Sequence, residues 1–420
     1  MGFFLKGRKM KVNTTGIQAA IFLGALTVHG AMAEEKTATS FEELVSKGTA
    51  AVDFRYRYET VDEDSFDDNA KGGTLRSRLT LTTATLQGFS SQLEADNVSN
   101  VGPDDYNSTE NGKTEYPVIA DPEGTELNQA WLQYKNDLIA SKLGRQRILL
   151  GDQRFVGGVG WRQNEQTYDG FRNVLTPLQG LSVDFSYVNK VHRIFGPDDG
   201  AFPADLKGDN FFLRADYAIN QNHNITGFGY IVDVDEQDGY PAGRTINNST
   251  DTYGFGYKGK VFDTVTLAAT YASQSDGGDS SLNYDTDYYM AEAGVTFVGV
   301  TIKGGYEVLA SDGGVGFQTP YATLHKFQGW ADKFLVTPGA GIEDAYISVG
   351  GKLGPVRLGA VYHDFRAESS SEDWGSEIDL VATWPVLSYL TLQAKYADFN
   401  SDSDSYQDTK KLWLTLQLKL

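Results

Sequence analysis

Apolar and polar residues alternate along most of the chain, and this period of two is typical of β-strands that bury one face. Each strand-like segment carries an apolar residue at every second position, and many of the segments end in an aromatic residue. The clearest segments are residues 181–187, 211–217, 265–271, 289–297, 356–362, 378–384, 390–396 and 412–420. A soluble sheet and a membrane barrel both produce this alternation, so the strands alone do not choose between them.

The connections between these segments are either short or long, and the two kinds alternate along the chain. The tight ones include residues 135–137, 176–180, 220–222, 262–264, 298–299, 353–355 and 385–388. The long polar ones lie near residues 59–73, 97–126, 149–166, 190–209, 233–250, 273–286, 309–343, 366–375 and 398–410. Short periplasmic turns and long extracellular loops are typical of outer-membrane barrels, which in bacteria have an even number of strands. The loops therefore predict an all-β fold, a transmembrane antiparallel β-barrel of about 18 strands, or about 16 if one strand is misjudged.

The first 33 residues have the composition of an export signal. Basic residues at the start are followed by an apolar run over residues 17–28 and then by Ala31-Met32-Ala33. This order predicts a cleaved signal peptide over residues 1–33, in preference to an amphipathic N-terminal helix. After it we expect a short periplasmic segment over residues 34–50 and a single barrel domain over residues 51–420.

The composition favours a barrel of the Gram-negative outer membrane. The chain has 46 Gly, 23 Tyr and 23 Phe against 11 Pro, and no apolar run of membrane-helix length follows the signal. It has no cysteine, which excludes disulfides, thiol nucleophiles and thiolate metal sites. A soluble β-domain of about 390 residues would be unusually large, whereas a closed barrel of this size is ordinary in an outer membrane.

Three strand-like stretches place two arginines one residue apart, so that each pair would share one face of a strand. The pairs are Arg55 and Arg57, Arg76 and Arg78, and Arg145 and Arg147. Since the flanking residues are apolar, we expect the arginines to face the lumen. A guanidinium group is a rigid fork of donors suited to carboxylates. An arginine-rich wall therefore favours anionic solutes, although the whole chain carries a net charge of −20.

Bracing is the alternative interpretation of these arginines. Inward-facing acids could pair with them and stiffen a water-filled interior. The candidate partners are Asp53, Glu59, Glu94 and Asp216. The two interpretations overlap, because the ion pairs that brace a pore also set its selectivity.

Acidic residues concentrate in the long loops, where solvated external carboxylates are the simplest explanation. No loop reproduces the spacing of an EF-hand. We therefore predict no cofactor, with a loop-bound divalent cation such as calcium as the alternative. The loops over residues 97–126 and 309–343 are the strongest candidates for entering the pore, because long loops in compact proteins tend to have a function.

A barrel hydrolase is the main rival from another functional class. Such catalysis needs a nucleophile or an activated water, usually with a histidine base. After the signal the chain has only His192, His223, His325 and His363, and no serine and acid partner is identifiable from spacing. A purely structural or adhesive barrel is disfavoured, because about 18 strands enclose a lumen too wide for side chains to fill. We therefore predict that the protein is not an enzyme.

Two segments resemble a known family. Residues 142–169, which contain Arg145-Gln-Arg147 and Trp161-Arg162-Gln163, resemble the central motif of the alginate-export type porins of Gram-negative outer membranes. Residues 319–335 resemble a second block in porins with that domain. The resemblance implies a monomeric barrel with an arginine-lined, electropositive constriction for an anionic uronate polysaccharide. The candidates by motif position are Arg145, Arg147, Arg154 and Arg162, and alternation alone adds Arg55, Arg57, Arg76 and Arg78.

The combined hypothesis is an outer-membrane porin that passes anionic solutes by passive diffusion, with uronate oligo- or polysaccharides as one candidate class. The alternative is a general diffusion porin for small hydrophilic solutes. Expected partners are outer-membrane lipid, lipopolysaccharide and an anionic small-molecule or oligosaccharide solute, with no nucleic acid.

Overall fold

The computed structural model describes residues 36–262, 264–370 and 372–420. The expected signal peptide over residues 1–33 lies outside the described residues. Within them β-strands dominate, and the helical segments are short.

In the described ranges, eighteen antiparallel strands form one closed barrel wall. They are β1 (Thr49–Glu63), β2 (Ala70–Thr82), β3 (Phe89–Asp105), β4 (Gly124–Lys135), β5 (Ile139–Gln146), β6 (Thr167–Leu178), β7 (Leu181–His192), β8 (Asp205–Asn220), β9 (His223–Val232), β10 (Thr250–Val261), β11 (Val265–Asp276), β12 (Asp285–Phe297), β13 (Val300–Leu309), β14 (Ile342–Leu353), β15 (Val356–Arg366), β16 (Asp373–Leu387), β17 (Leu390–Ser401) and β18 (Thr409–Lys419). Each strand pairs with the next, and β1 pairs with β18 from Asp53 opposite Lys419 to Glu63 opposite Thr409. The pairing of first and last strands leaves no free edge, and the predicted fold and strand number are confirmed.

The connections have the predicted two lengths. One end of the barrel carries short turns over residues 83–88, 136–138, 179–180, 221–222, 262–264, 298–299, 354–355 and 388–389. The other end carries the connections over residues 64–69, 106–123, 147–166, 193–204, 233–249, 277–284, 310–341, 367–372 and 402–408. The short end is the periplasmic one, by the rule that relates turn length to side in such barrels.

Alternation gives the wall an apolar outer face and a polar inner one. Along β1, Arg55 and Arg57 are buried inside, whereas Phe54 points outward and is exposed. Exposed leucines, phenylalanines and tyrosines recur on the outer face of most strands, which gives a barrel its lipid-facing band. The same alternation puts Arg76 and Arg78 inside, next to β1.

A short N-terminal segment packs at the periplasmic end. Helix α1 (Phe41–Ser46) begins at Ser40, whose side chain accepts a hydrogen bond from the Glu43 amide, as N-cap serines do. The two-residue strand Thr37–Ala38 runs parallel to Thr85–Leu86 in the first periplasmic turn. Two 3-10 turns (Ile246–Asn248 and Leu324–Lys326) and a small hairpin (Ser311–Asp312 with Val315–Gly316) complete the described elements. None of the described helices is long and apolar enough to cross a membrane.

Two extracellular connections fold into the barrel and pack against each other. We call residues 147–166 the first inserted loop and residues 310–341 the second inserted loop. The Gly157 amide donates to the Tyr321 carbonyl at 2.8 Å, and the Trp161 ring stacks on His325 with centroids 4.6 Å apart. Their apolar residues merge with inward residues of the wall into one core inside the barrel.

The expected inserted loops are thus found in part. The candidate over residues 309–343 does enter the lumen. The candidate over residues 97–126 contributes Asp121, which is fully buried and accepts a hydrogen bond from the Gln163 amide at 2.8 Å. The largest insertion besides the second loop is the first inserted loop, which carries the family-like motif.

Candidate channel constriction

The arginines of β1 bind the first inserted loop from below. Arg55 donates from Nε to Gln163 Oε1 and from Nη1 to the Gly160 carbonyl, both at 2.9 Å. Arg57 is fully buried, and its guanidinium carbon lies 4.2 Å from the Trp161 ring centre. Such stacking of a cation on an indole is favourable where water is excluded. Both arginines therefore hold the loop and do not line open space.

The arginines of β2 pair with carboxylates. Arg78 donates from Nε to Asp96 at 2.7 Å and from Nη1 to Glu165 of the first inserted loop at 2.6 Å. Arg76 contacts Asp53 at 3.1 Å. Burial alone would raise the pKa of Glu165, but Arg147 and Arg78 hold it well below its usual range. Glu165 is therefore ionised and joins the loop to β2 by charge-assisted bonds.

The remaining lumen arginines of the motif also pair with carboxylates. Arg147 contacts Glu165 and, at 2.5 Å, Glu94. Arg154 donates to Glu307 on β13 at 2.8 Å, and Arg162 pairs with Glu59 on β1 at 3.0 Å. Arg214 likewise contacts Asp216 at 2.7 Å. Every carboxylate named above as a candidate bracing partner therefore contacts an arginine. These acids are Asp53, Glu59, Glu94 and Asp216. Contact between these arginines and a solute stays a prediction.

Arg145 lies on the other face of the wall. It follows Leu143, which is exposed on the outside, by two residues, and it stands opposite Ala130 and Asp169. Strand β5 ends at Gln146, and the chain then turns into the lumen, so the alternation does not carry over to Arg147. The expectation that Arg145 and Arg147 share the lumen face is therefore corrected: only Arg147 points inward.

A buried lysine anchors the second inserted loop. Lys395 of β17 places Nζ 3.6 Å from the Trp330 ring and 4.1 Å from the Trp161 ring, and it donates to His325 Nε2 at 2.6 Å. Burial lowers the pKa of His325 to about 3. The imidazole is therefore neutral, accepts at Nε2 from the lysine and donates from Nδ1 to Asp332 at 2.6 Å.

Two acidic residues of the neighbouring strand β16 also hold or face the second inserted loop. Glu377 of β16 accepts hydrogen bonds from the amides of Trp330 and Ala331, the latter at 2.7 Å. Its neighbour Asp379 is fully buried, has no hydrogen-bond partner among the described residues and lies 3.7 Å from Nε2 of His363. The second inserted loop is thus held by backbone donors on carboxylates and by an indole on an ammonium group, two interactions that strengthen in a dry site.

The periplasmic half of the lumen carries cations that the arginine pattern did not reveal. The buried residues Phe228, Ala272 and Tyr288 mark the inward face of β9 to β12, and alternation puts Lys258 on that face. From β5 to β15, alternation places eight bases on the inward face within about six residues of the short turns. They are Lys142, Arg172, Arg214, Lys258, Lys260, Lys303, Lys352 and Arg357, against the three acids Asp184, Asp216 and Glu292. We call these eight bases the cationic arc.

Comparison with known proteins identifies the family. The model of the family described as alginate export matches residues 48–309, more than half of the chain. The chain belongs to the alginate export family. This member is accordingly a channel of the Gram-negative outer membrane and not an enzyme.

Solved barrels share the fold of this alginate export family member. OccAB2 of Acinetobacter baumannii superposes with a TM-score of 0.68 at 14% identity, over 90% of this chain and 99% of that one. OccK9 (OpdG) of Pseudomonas aeruginosa gives 0.66 at 17% identity, over 90% and 100%. OccK3 (OpdO) of the same organism gives 0.67 at 12% identity, over 90% and 97%. No curated protein matches.

A metal site is not apparent in this family member. The described residues contain no group of three or more histidines and acids that could hold a metal ion. The loop-bound divalent cation named above stays a prediction.

The cationic arc has a sequence signal that resembles the one used for the arginines. Lys258 and Lys260 stand one residue apart in a strand-like stretch, as Arg55 and Arg57 do. Alternation of lysines therefore carries the same sequence signal as alternation of arginines.

Proposed function

We propose that this alginate export family channel passes anionic solutes by passive diffusion and that the cationic arc selects them. The observation that carries the proposal is the excess of bases on this part of the wall, eight against three acids. A lumen lined by one sign of charge raises the local concentration of counter-ions.

Exposure distinguishes three bases of the cationic arc from the arginines of β1 and β2, while the other five bases of the arc are half-buried. The Lys258 side chain is 50% exposed, and Lys352 and Arg357 are exposed as well. Arg57, by contrast, has no exposed surface. A solute in the periplasmic half can reach these three exposed bases, so selection by them does not require the inserted loops to move.

The arc favours solutes that carry several carboxylates. Its bases stand on β5, β6, β8, β10, β13, β14 and β15, so that a linear uronate oligomer could engage more than one base at once. Simultaneous contacts of linked groups raise the overall affinity well above that of a single contact. We therefore propose uronate oligo- or polysaccharides as the preferred class among anions.

Reversal potentials in a planar bilayer under a potassium chloride gradient test the first part of the proposal. The wild-type channel is expected to prefer chloride, and the variant with Lys258→Glu, Lys352→Glu and Arg357→Glu is expected to prefer potassium. Lys410→Glu, an exposed position at the extracellular end of β18, is the matched control and should leave the reversal potential unchanged. A cation-selective wild type, or a triple variant with unchanged selectivity, would contradict the proposal.

Block of the chloride current tests the second part. Oligomers of a uronate should reduce the current at lower concentration than neutral oligosaccharides of equal length. Equal block by both would leave an anion-selective channel without preference for uronates.

A general diffusion porin is the second candidate function. It is favoured by the burial of Arg55, Arg57 and Arg76 and by their contacts with the first inserted loop or with acids, as bracing groups would have. This candidate predicts that neutral and anionic solutes of equal size permeate at equal rates, which liposome swelling measures directly.

A further inference from the structure

A row of charged side chains crosses the outside of the barrel near the extracellular loops. The strand register places Arg145 of β5 opposite Asp169 of β6, Asp169 opposite Lys190 of β7, and Lys190 opposite Lys207 of β8. We call these four residues the outer row.

The adjacent row shows which face the outer row occupies. Gln146, Tyr168, Val191 and Leu206 stand one position further along the same four strands and are all buried. The Tyr168 hydroxyl donates to the Gly157 carbonyl of the first inserted loop at 2.7 Å, inside the barrel. Since neighbouring residues of a strand point to opposite faces, the outer row points away from the lumen.

The position of the outer row relative to the membrane follows from its neighbours, the next set of outward-facing residues on the periplasmic side. That row is apolar and, by register, consists of Leu132, Leu143, Phe171, Tyr187 and Phe211. Leu143 and Phe211 are exposed, as side chains in contact with lipid tails would be. The outer row therefore begins where the apolar band ends, at the level of lipid headgroups.

The charges of the outer row are incompletely matched. Arg145 Nε is 2.8 Å from Asp169 Oδ1, and Lys190 Nζ is 2.5 Å from Asp205 Oδ2. Lys207 is exposed, and no carboxylate of the described chain lies within 4.0 Å of its ammonium group. It also stands directly opposite Lys190. Like charges that oppose each other across two strands destabilise a sheet. Asp205 offsets the charge of Lys190, and an anion beside Lys207 would offset the other charge.

Other parts of the extracellular rim have a different character. Tyr271 donates to Asp287 at 2.8 Å. Tyr396 donates to Asp398 at 2.9 Å, and Asp398 stands opposite a single base, Lys410. Strands β7 and β8 have a comparable pair, Tyr187 and Asp209 at 2.6 Å. What sets β5 to β8 apart is that three bases stand at one level of these neighbouring strands.

We propose that the outer row binds the phosphorylated headgroup of an outer-leaflet glycolipid of the lipopolysaccharide type. Arg145, Lys190 and Lys207 would contact phosphate oxygens, for which guanidinium and ammonium groups are the usual partners. The carboxylate of Asp205 would accept hydrogen bonds from sugar hydroxyls, whereas both oxygens of Asp169 are engaged by Arg145 and one of them also contacts His192. The apolar row with Leu143 and Phe211 would pack against the acyl chains. This proposal is independent of the solute, because the outer row does not face the lumen.

Native mass spectrometry of the folded barrel in detergent, titrated with lipid A, tests the proposal. Bisphosphorylated lipid A should bind the wild type, and enzymatically dephosphorylated lipid A should bind at least about tenfold more weakly, because surface bases each add appreciable attraction to an anionic headgroup. The variant with Arg145→Gln, Lys190→Gln and Lys207→Gln should lose this preference for the phosphorylated lipid. Equal binding of the two lipids by the wild type would overturn the proposal.

Two further variants keep the result interpretable. Lys207→Gln breaks no ion pair of the described chain, so a fold defect is not expected, and it should weaken binding of bisphosphorylated lipid A about fivefold. Lys410→Gln, an exposed base at the extracellular end of β18, should bind like the wild type. If Lys207→Gln and the triple variant both retain wild-type binding, or if Lys410→Gln weakens it equally, the outer row is not the site.

Discussion

Arg162 and Asp332 join the two inserted loops, with Nη2 of the arginine 3.3 Å from Oδ2 of the aspartate. Asp332 also lies 2.9 Å from Nζ of Lys411 on β18, and Arg162 lies 3.0 Å from a carboxylate oxygen of Glu59 on β1. The ion pair therefore fixes both loops to the part of the wall where the first and last strands meet. Burial would raise the pKa of Asp332, but the nearby His325, Lys411 and Arg162 hold it well below its usual range.

The variant Asp332→Asn tests whether this ion pair keeps the loops inserted. It leaves Arg162 and Lys411 buried with less compensation, and removal of one member of a buried pair costs about 3–5 kcal/mol. We expect the loops to leave their position part of the time, so that single-channel recordings show larger and noisier conductance. Asp404→Asn, in an exposed extracellular loop, is the control. A quiet recording with wild-type conductance would show that the pair is dispensable.

The variant Arg78→Met separates bracing from selectivity. Arg78 is bonded to Asp96 and Glu165, so its loss leaves two buried carboxylates with less compensation. We expect a lower unfolding temperature, measured by the heat-dependent mobility shift on gels, and an unchanged reversal potential. A shift of reversal potential as large as that of the Lys258 triple variant would instead place Arg78 among the selecting residues.

The variant Lys395→Met tests the anchor of the second inserted loop. Methionine has a similar length but no charge, so the contacts of the ammonium group with Trp330 and Trp161 and its bond to His325 are lost. A desolvated cation–π contact is worth about 2 kcal/mol. We expect tryptophan fluorescence to become more accessible to iodide than in the wild type, with no change in Lys258→Met as the matched control. Unchanged quenching would mean that Glu377 alone suffices to hold the loop.

Glu110 predicts a pH dependence in the extracellular loops. Burial raises the pKa of Glu110 to about 7, and Asp198 and Asp199 of a neighbouring loop add to the shift. Below the ordinary value of 4.5 the carboxyl is protonated whether or not the loops are packed, so its contribution to packing is fully present there. As the pH rises through about 7 that contribution is lost. Hydrogen exchange of residues 193–204 should accordingly accelerate between pH 5 and pH 8 beyond the intrinsic rate, and Glu110→Gln should abolish the excess.

The strands were predictable from the sequence because membrane barrels require an alternation that little else can override. The segments around Leu181, Val265 and Leu390 lie within β7, β11 and β17 as expected. The inward direction of Arg55 and Arg76 followed from the same rule. Pro385 was expected to begin a turn, but β16 continues to Leu387 with a register shift at that point, since an irregular pair tolerates the missing amide.

The site was less predictable, because it depends on contacts between residues distant in sequence. Nothing local in the second inserted loop says that Trp330 will reach Lys395 on β17. Similarly, the opposite directions of Arg145 and Arg147 depend on where β5 ends, and element ends are the least certain part of a pattern. The burial of Arg57 also followed from the loop that covers it.

The pairing of β1 with β18 has a consequence for assembly. Arg55 of β1 binds the Gly160 carbonyl, while Trp413 of β18 packs edge-on against Trp161, so the first inserted loop needs both strands to be in place. Strand β18, the last to be exported, therefore completes the binding surface for the first inserted loop, which precedes it in the chain. A barrel still open between β1 and β18 would hold its inserted loops loosely, and closing that seam would also set the channel to its final bore.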